Sequence, residues 1–440
     1  MKKLKKILIA LSLTLVFLCA AFASGCGNGE TAVKEDFAEA VNSLTTNDSV
    51  YASGNVELSR KENNSHEVYS NADVNVKGTF SGGLAYDSVT QNYKAFDFDL
   101  FSVTNITNVA QTKTQAGGYF VRDGKAYYLE TPAHSDNDYD TLKADVLKAL
   151  EKGENLTYDL DLKEALADGI GVTVDVPEDF EKARASAESL SAGLIKGFSE
   201  LCVIEKNGSD YTFDFTKTVC ELIDKIAAAT EKYLKTPNAT VGEFYATAEA
   251  QAILSPVLKN VKAKDLVDVV SALAEDGTLT ETTDGKLNLN LDGMIITLDK
   301  PSEKATLDEY LVKTVFETKI DTGMAKVAIK DVTLNGFLGG ATTEQPVSYT
   351  DEQIAEILNG FKEAKQNAEE EFPTAKITLT IKKGKVTHIK VDIKRVEYTY
   401  LYEMGSNKKT KVPVEEWVIK IDADVLDKMP ALTDVSKNIK

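Results

Sequence analysis

The stretch that decides the fold runs Tyr119-Phe-Val-Arg-Asp-Gly-Lys-Ala-Tyr-Tyr-Leu129. Its centre, Asp123-Gly124, readily adopts the positive φ angles of a tight turn, and aromatic and branched residues flank it on both sides. This pattern predicts a β-hairpin. Segments upstream of it alternate apolar and polar residues with a period of two, for example around Val56, Val74 and Phe98. Such one-sided alternation is typical of an antiparallel sheet with one solvated face.

Period-two alternation returns in the second half of the chain. We expect strands over 278–298 and near 326–334, and a last meander from Ile377 onward that turns at Lys383-Gly384. The alternation changes phase at Glu415-Glu416, which indicates a β-bulge in the last strand.

Helical periodicity predicts helices at 32–44, at 139–150, after Pro177 and after Thr350. The segment 217–275 is helix-rich. Three segments there and beyond fit the capping-box pattern, in which a Thr and a Glu three residues later begin a helix. These segments are Thr218-Val-Cys-Glu221, Thr240-Val-Gly-Glu243 and Thr306-Leu-Asp-Glu309. The second and third lie in similar contexts, which either a weak internal repeat or coincidence explains.

Together these patterns predict an α+β protein with antiparallel, half-barrel-like sheets covered by amphipathic helices. We divide the chain into a signal peptide (1–25), a short tether (26–31), an N-terminal sheet-rich domain (32–216) and a C-terminal part (217–440). The last part begins with the helix-rich segment and ends in an antiparallel sheet. Whether the two sheet-rich parts form one sheet or two stays open.

The N-terminus has the three regions of an export signal. Four lysines lie within residues 1–6, an almost wholly apolar run follows from Ile7 to Phe22, and small residues come next. The run of 16 residues is shorter than the ~20 that a membrane-spanning helix needs.

Ser24-Gly25-Cys26 resembles the lipobox of bacterial lipoproteins, although Ala23 stands where Leu is usual. The resemblance implies cleavage after Gly25, attachment of diacylglycerol to Cys26, and a lipid-anchored protein on the extracytoplasmic face of the cell membrane. Two alternatives stay open. Cleavage at the A-x-A site Ala21-Phe-Ala23 would release a soluble protein that starts at Ser24, and an uncut signal would act as a short anchor.

The charge of the chain argues against two classes of partner. Loss of residues 1–25 removes four lysines and no acidic residue, which leaves 46 basic and 69 acidic residues and a net charge of −23. A body this acidic is not suited to nucleic acid or to anionic lipid. Its four arginines lie far apart in the sequence, so we expect no arginine clamp for phosphate.

Two cysteines, Cys202 and Cys220, remain in the body after Cys26. In an exported protein they could form a disulfide, worth on the order of 3 kcal/mol, or stay as two buried thiols. If Cys220 lies in the first turn of a helix, the helix would lower the pKa of its thiol.

No catalytic or metal-binding motif is complete. His66, His134 and His388 are the only histidines, and none is close to another in the sequence. Asp136-Asn-Asp-Tyr-Asp140 begins like a calcium loop, but Thr141 and Leu147 replace the Gly and Glu that such a loop requires. Ser135-Asp-Asn137 and Ser406-Asn-Lys-Lys409 lack the order of the penicillin-recognising motifs. We therefore expect no enzyme activity, no metal and no cofactor.

The predicted architecture of long strands, a leading helix and covering helices is similar to the half-barrel lipid carriers of the LolA/LolB and LprG/LppX type. This resemblance implies a hydrophobic or lipid ligand held near the membrane. The alternative is a structural or protein-interaction lipoprotein with a closed core. The Cys26 anchor makes the membrane a partner in both cases, and the sequence identifies no protein partner.

Overall fold

The computed structural model describes residues 31–46, 49–62, 72–86, 93–108, 111–132, 139–161, 180–273, 279–291, 294–321, 326–335, 348–402 and 409–439. Within these ranges the chain forms nine α-helices and 16 strands. No helix in this described part is long and apolar enough to cross a bilayer.

The helices are α1 (Thr31–Thr46), α2 (Tyr139–Glu151), α3 (Phe180–Glu200), α4 (Phe215–Lys235), α5 (Val241–Tyr245), α6 (Ala248–Leu258), α7 (Ala263–Leu273), α8 (Leu307–Tyr310) and α9 (Asp351–Glu371). A π-helical turn (Leu311–Val315) continues α8, and a 3-10 turn covers Ile329–Asp331. The helices predicted from the periodicity of the sequence are confirmed.

The strands are β1 (Ser49–Glu62), β2 (Asp73–Tyr86), β3 (Tyr93–Thr107), β4 (Thr112–Arg122), β5 (Lys125–Pro132), β6 (Thr157–Asp161), β7 (Ile204–Asn207), β8 (Asp210–Asp214), β9 (Leu279–Glu281), β10 (Leu287–Leu291), β11 (Met294–Leu298), β12 (Lys319–Asp321), β13 (Lys326–Ala328), β14 (Thr374–Lys382), β15 (Lys385–Tyr402) and β16 (Lys409–Leu426). Of the segment expected near 326–334, only β13 is a strand, because the 3-10 turn follows it at once and Thr333 then forms only an isolated bridge with Thr240.

The chain groups into two compact units. Unit 1 consists of Met1–Asn42, Asp175–Ile204 and Lys217–Asn367, and unit 2 of Ser43–Val174, Glu205–Thr216 and Ala368–Lys440. This grouping differs from the predicted division between 216 and 217. The reason is that strands from both sides of that boundary pair in one sheet.

Unit 2 is built on an 11-stranded sheet with the order β6-β5-β4-β3-β2-β1-β16-β15-β14-β8-β7. The pairs from β6 to β8 in this order are all antiparallel. The sheet is open, with β6 at one edge and β7 at the other. The predicted α+β class is confirmed, and the N-terminal and C-terminal strands belong to a single sheet.

The turn that joins β4 and β5 has the predicted geometry. Asp123 and Gly124 have φ angles of 48° and 78°, as a two-residue hairpin with the right-handed twist of its strands requires. The same geometry recurs at Lys383 and Gly384, with φ angles of 53° and 74°. The predicted bulge also occurs, since Glu397 pairs with Glu415 but Tyr398 pairs with Pro413, which leaves Val414 as the extra residue.

The expectation of one solvated face is correct for only part of the sheet. On β1 and β15–β16, Glu57, Asp392 and Lys420 lie in the solvent. On β3, however, the consecutive residues Leu100 and Phe101 are 2% and 7% exposed. Consecutive residues of a strand point to opposite faces. The sheet is therefore buried on both faces at this point, and α2 packs on the Phe101 side.

The weak internal repeat that the sequence suggested is visible in the hydrogen bonding of unit 1. Both capping boxes form. The Thr240 and Thr306 hydroxyls each accept from the amide of the Glu three residues on, and the carboxylate of that Glu accepts from the amide of the Thr. Segment 239–241 pairs with 332–334, and segment 305–307 pairs with 261–263.

The two pairings use equivalent atoms. The residue after each Thr donates to the partner segment, and the residue before each Thr accepts from it. The bonds are Val241 N to Val332 O at 2.8 Å, Leu334 N to Ala239 O at 2.9 Å, Leu307 N to Val261 O at 2.7 Å and Ala263 N to Ala305 O at 3.0 Å. Residues 261–263, which follow the first capping box, thus bind the start of the second capped helix, and residues 332–334, which follow the second box, bind the start of the first. An intertwined arrangement of this kind favours an internal repeat over coincidence.

The close approach of β1 and β16 generates a stability prediction. A Cβ atom at Gly54 would lie 2.3 Å from the backbone oxygen of Asp422, whereas one at Gly117 would have its nearest contact at 3.4 Å. We expect Gly54→Ala to lower the free energy of unfolding by about 1–3 kcal/mol, because backbone atoms must shift. Gly117→Ala is the matched control, with a change within about 0.5 kcal/mol. Urea unfolding measures both, and equal losses would contradict the packing argument.

Candidate functional site

The predicted lipid attachment residue Cys26 and the cleavage residue Gly25 lie outside the described residues. The first described element after them is α1, which begins at Thr31. Its inner face is buried through Phe37, Ala38, Ala40 and Val41. The helix closest in sequence to the predicted anchor is therefore an integral part of unit 1.

Lys34 lies on the same face of α1 and is only 2% exposed. Its Nζ donates a hydrogen bond of 2.9 Å to the backbone oxygen of Glu200. Glu200 is the last residue of α3, where carbonyl oxygens have no partner inside the helix. An ammonium group at this end also interacts favourably with the helix dipole. Lys34 thus joins the start of α1 to the end of α3.

The position of Glu200 is set by a second contact. Asn260 donates from Nδ2 to Glu200 Oε1 at 2.7 Å and to Pro256 O at 2.7 Å. Helices α3 and α6 can approach this closely because a Cβ atom at Gly197 would lie 2.7 Å from the Cα of Val257. Glu200, which accepts the Lys34 bond, is therefore held through both its backbone oxygen and its side chain.

Burial is the main influence on the Lys34 amine. It lowers the pKa of Lys34 from 10.5 to about 8, because a charged group loses its hydration. The electrostatic influence of Cys202 raises the pKa of Lys34, that of Lys225 lowers it further, and those of Glu221 and Glu200 raise it. The group is mainly an ammonium at pH 7 and mainly a neutral amine at pH 9.

The two cysteines of the body lie in unit 1, as Lys34 does. Cys202 and Cys220 are both buried, and no disulfide joins them. Of the two alternatives that the sequence left open, the structure has the pair of thiols. Cys220 is the sixth residue of α4, so the expectation of a first-turn position was wrong.

Thr218 explains why the start of α4 was misplaced. The helix begins at Phe215, three residues before the box predicted at Thr218. The Thr218 hydroxyl instead accepts a 3.0 Å bond from the amide of Val203. The Thr therefore holds the loop after α3, and the predicted capping box there is wrong.

The remaining candidate residues do not assemble a second site in the described part of the chain. His388 lies on the polar face of the sheet, with Nδ1 2.7 Å from Asp424 Oδ1 and Nε2 3.1 Å from Asp422 Oδ1. Among the residues described, no group of three or more His, Cys, Asp and Glu side chains could hold a metal ion. His66, His134 and most of the calcium-like loop lie outside the described ranges.

Sequence reasoning missed Lys34, although a signal was present. The residue stands three, four and seven positions before Phe37, Ala38 and Val41, which places it on the apolar face of the helix. A lysine at such a position is rarely buried without a partner.

Comparisons of this chain with protein-family models, with curated proteins and with solved structures find no match. The geometry and the sequence are therefore the only basis for assigning a function.

The altered pKa of Lys34 predicts a pH-dependent stability. Between pH 8 and 10.5 the unfolded chain binds more protons at this residue than the folded chain, so the Lys34 contribution to the free energy of unfolding rises with pH. Relative to Lys34→Met, the wild type should gain up to ~1.4 kcal/mol per pH unit in this window. Near pH 7 and below, both states are mainly protonated at Lys34 and the difference should be constant.

Urea unfolding at pH 7 to 9.5 tests this prediction. Lys304→Met is the control, because it makes the same Lys-to-Met change at an exposed position. Parallel pH profiles for wild type and Lys34→Met would show that the amine is not desolvated.

Proposed function

We propose that this chain is an exported, non-catalytic lipoprotein, anchored on the outer face of the cell membrane through a lipid on Cys26, that holds a hydrophobic ligand near the bilayer. A structural or protein-interaction lipoprotein with a closed core is the second candidate. The partners in this proposal are the membrane and an apolar small molecule.

The observation that carries the proposal is the burial of α1. The helix starts five residues after Cys26, and its inner face and Lys34 are buried in unit 1. Five residues reach about 17 Å when fully extended. A lipid on Cys26 would therefore keep unit 1 within that distance of the membrane surface.

Support for an apolar ligand comes from unit 2. Phe120 and Val121 are consecutive residues of β4, and both are fully buried. A sheet with two apolar faces provides more apolar surface than a sheet with one solvated face, and ligand sites are lined mostly by apolar side chains. The same residues would equally form the closed core of the second candidate, so the distinction needs a binding experiment.

The anchor is tested by processing. We expect intact-mass analysis of membrane-extracted protein to find Cys26 as the N-terminal residue with a diacylglycerol adduct. Cys26→Ala should leave an unprocessed or released form. Cys19→Ala is the control, because Cys19 lies inside the predicted signal and its loss should leave processing intact. An unmodified N-terminus at Ser24 would contradict the proposal.

The ligand is tested on the chain that begins at Gly27, which keeps every described element but has no lipid. A carrier should retain a lipid in native mass spectrometry or bind a fluorescent fatty-acid analogue with saturation at micromolar concentration. Bare protein that takes up no analogue would exclude the carrier and favour the interaction protein.

A further inference from the structure

We propose that the last residues of the chain form a detachable lid over an apolar groove of unit 2, and that this groove accepts the acyl chain of an amphiphile. The C-terminal strap is defined here as residues 427–439. This inference rests on the hydrophobic-ligand function proposed above and gives that ligand a location.

The strap follows β16 and contains no helix or strand. Near its middle, the backbone of Thr433 is held by two side chains from the sheet. Its amide donates to Asp99 Oδ2 at 2.7 Å, and its oxygen accepts from Arg122 Nη2 at 2.6 Å. Asp99 lies on β3 and Arg122 ends β4, so this anchor fixes the strap against the sheet.

The second anchor lies at the end of the strap. Asn438, which is 3% exposed, donates from Nδ2 to Leu150 O at 3.0 Å and to Glu154 O at 2.7 Å. Its own backbone oxygen accepts from the amide of Leu156 at 2.8 Å. The Leu150 oxygen, in the last turn of α2, also accepts from the amide of Gly153 at 2.9 Å, so Asn438 adds a second donor to this helix end.

Between the anchors, Val435 enters an apolar groove. The groove is defined by Phe101, Phe120, Val146, Leu150 and Leu156, which belong with Val435 to one buried cluster. Ile439 packs against the same cluster. The strap side chains that fill the groove, Val435 and Ile439, are thus aliphatic, and they flank a turn closed by the bond from Asn438 N to Val435 O at 2.9 Å. A flexible acyl chain matches such side chains better than a flat polycyclic ring does.

Two features make the strap separable from the rest of unit 2. Its residues belong to no strand or helix, so its release breaks no strand pairing of the sheet. In addition, Asp99 Oδ1 and Arg122 Nη2 lie 2.7 Å apart, and they remain paired when Thr433 leaves. Departure of the strap therefore leaves no buried charge without its counter-ion, which would otherwise be strongly unfavourable.

Release of the strap would expose an apolar slot beneath it. Apolar cavities of this kind stay dry and bind apolar molecules. If the ligand binds only the open form, any change that loosens the strap raises the apparent affinity, because a larger fraction of the protein is competent to bind.

The experiment combines hydrogen exchange with ligand titration on the chain that begins at Gly27. A fluorescent C16 fatty-acid analogue is the probe. Saturation with it should increase the exchange of peptides that cover the strap and Leu156, while the strands of the sheet keep their protection. Asn438→Ala should lower the apparent Kd of the analogue at least threefold.

Ser436→Ala is the matched control, because Ser436 is an exposed strap residue whose hydroxyl bonds only within the strap, to Asp434. The affinity of Ser436→Ala for the fatty-acid analogue should equal that of the wild type. If Asn438→Ala does not fold, Val435→Ala replaces it, since it removes strap contacts from the groove without touching either anchor.

The outcomes separate the two proposals. If the analogue binds saturably, but hydrogen exchange of the strap is unchanged and Asn438→Ala has the wild-type Kd, the ligand lies elsewhere. That result would contradict the lid but not the ligand function. An absence of binding in all variants would overturn the ligand function and the lid with it.

Discussion

Unit 2 depends on one strand pairing, that of β1 with β16. It brings together residues that are hundreds of positions apart in sequence, from Tyr51 opposite Leu426 to Glu62 opposite Glu415. Without it the strands would form two separate sheets, β6 to β1 and β16 to β7. Closing so long a loop has an entropic cost that only the many contacts of a long pairing offset. The close contact at Gly54 lies within this pairing.

The register of this pairing also decides which side chains meet on each face. Val56 lies opposite Ile421 on the apolar face, and Glu57 lies opposite Lys420 on the polar face. The charge alternates in sign across six strands through Lys77, Glu57, Lys420, Asp392, Lys376 and Asp214. The exposed pairs of this row contribute at most about 1 kcal/mol each, whereas Asp214 at its end is only 4% exposed. A slip of one residue, however, would bury the whole row, so we infer that the row specifies register more than it adds stability.

The parts of the fold that were predictable are those with a local cause. Asp123-Gly124 readily adopts the positive φ angles of a two-residue turn, and Thr240 and Thr306 cap helices through residues three positions away. The parts that were missed depend on partners distant in sequence. The Thr218 hydroxyl binds Val203 N rather than a helix start, and the strap has neither helical nor strand periodicity because its contacts are made one residue at a time.

Of the candidate site, the sequence revealed the apolar face of α1 but not the lysine on it. The burial of Lys34 needs an acceptor at the right point, and that acceptor is the end of α3, more than 150 residues away in sequence. No periodicity within α1 can reveal such an acceptor. The sequence could not decide whether a disulfide forms for a related reason. The spacing of Cys202 and Cys220 in sequence carries no information on how their side chains are directed.

The two ends of the described chain are fixed by the same chemistry. At the N-terminal end the Lys34 ammonium donates to the last residue of α3, and at the C-terminal end the Asn438 amide donates to the last turn of α2. Apolar contacts alone would let a terminal segment settle in several positions, because burial has no direction. A buried donor has only one acceptable place, since leaving it without an acceptor costs about 1–3 kcal/mol.

The two ends differ in what the departure of each segment would leave behind. Withdrawal of α1 would remove Phe37, Val41 and their neighbours from the core of unit 1, whereas the strap would remove Val435 and Ile439 from unit 2 and leave Asp99 paired with Arg122. The N-terminal element thus has more buried apolar side chains to lose than the strap, which agrees with an anchor beside the first and the proposed lid at the second.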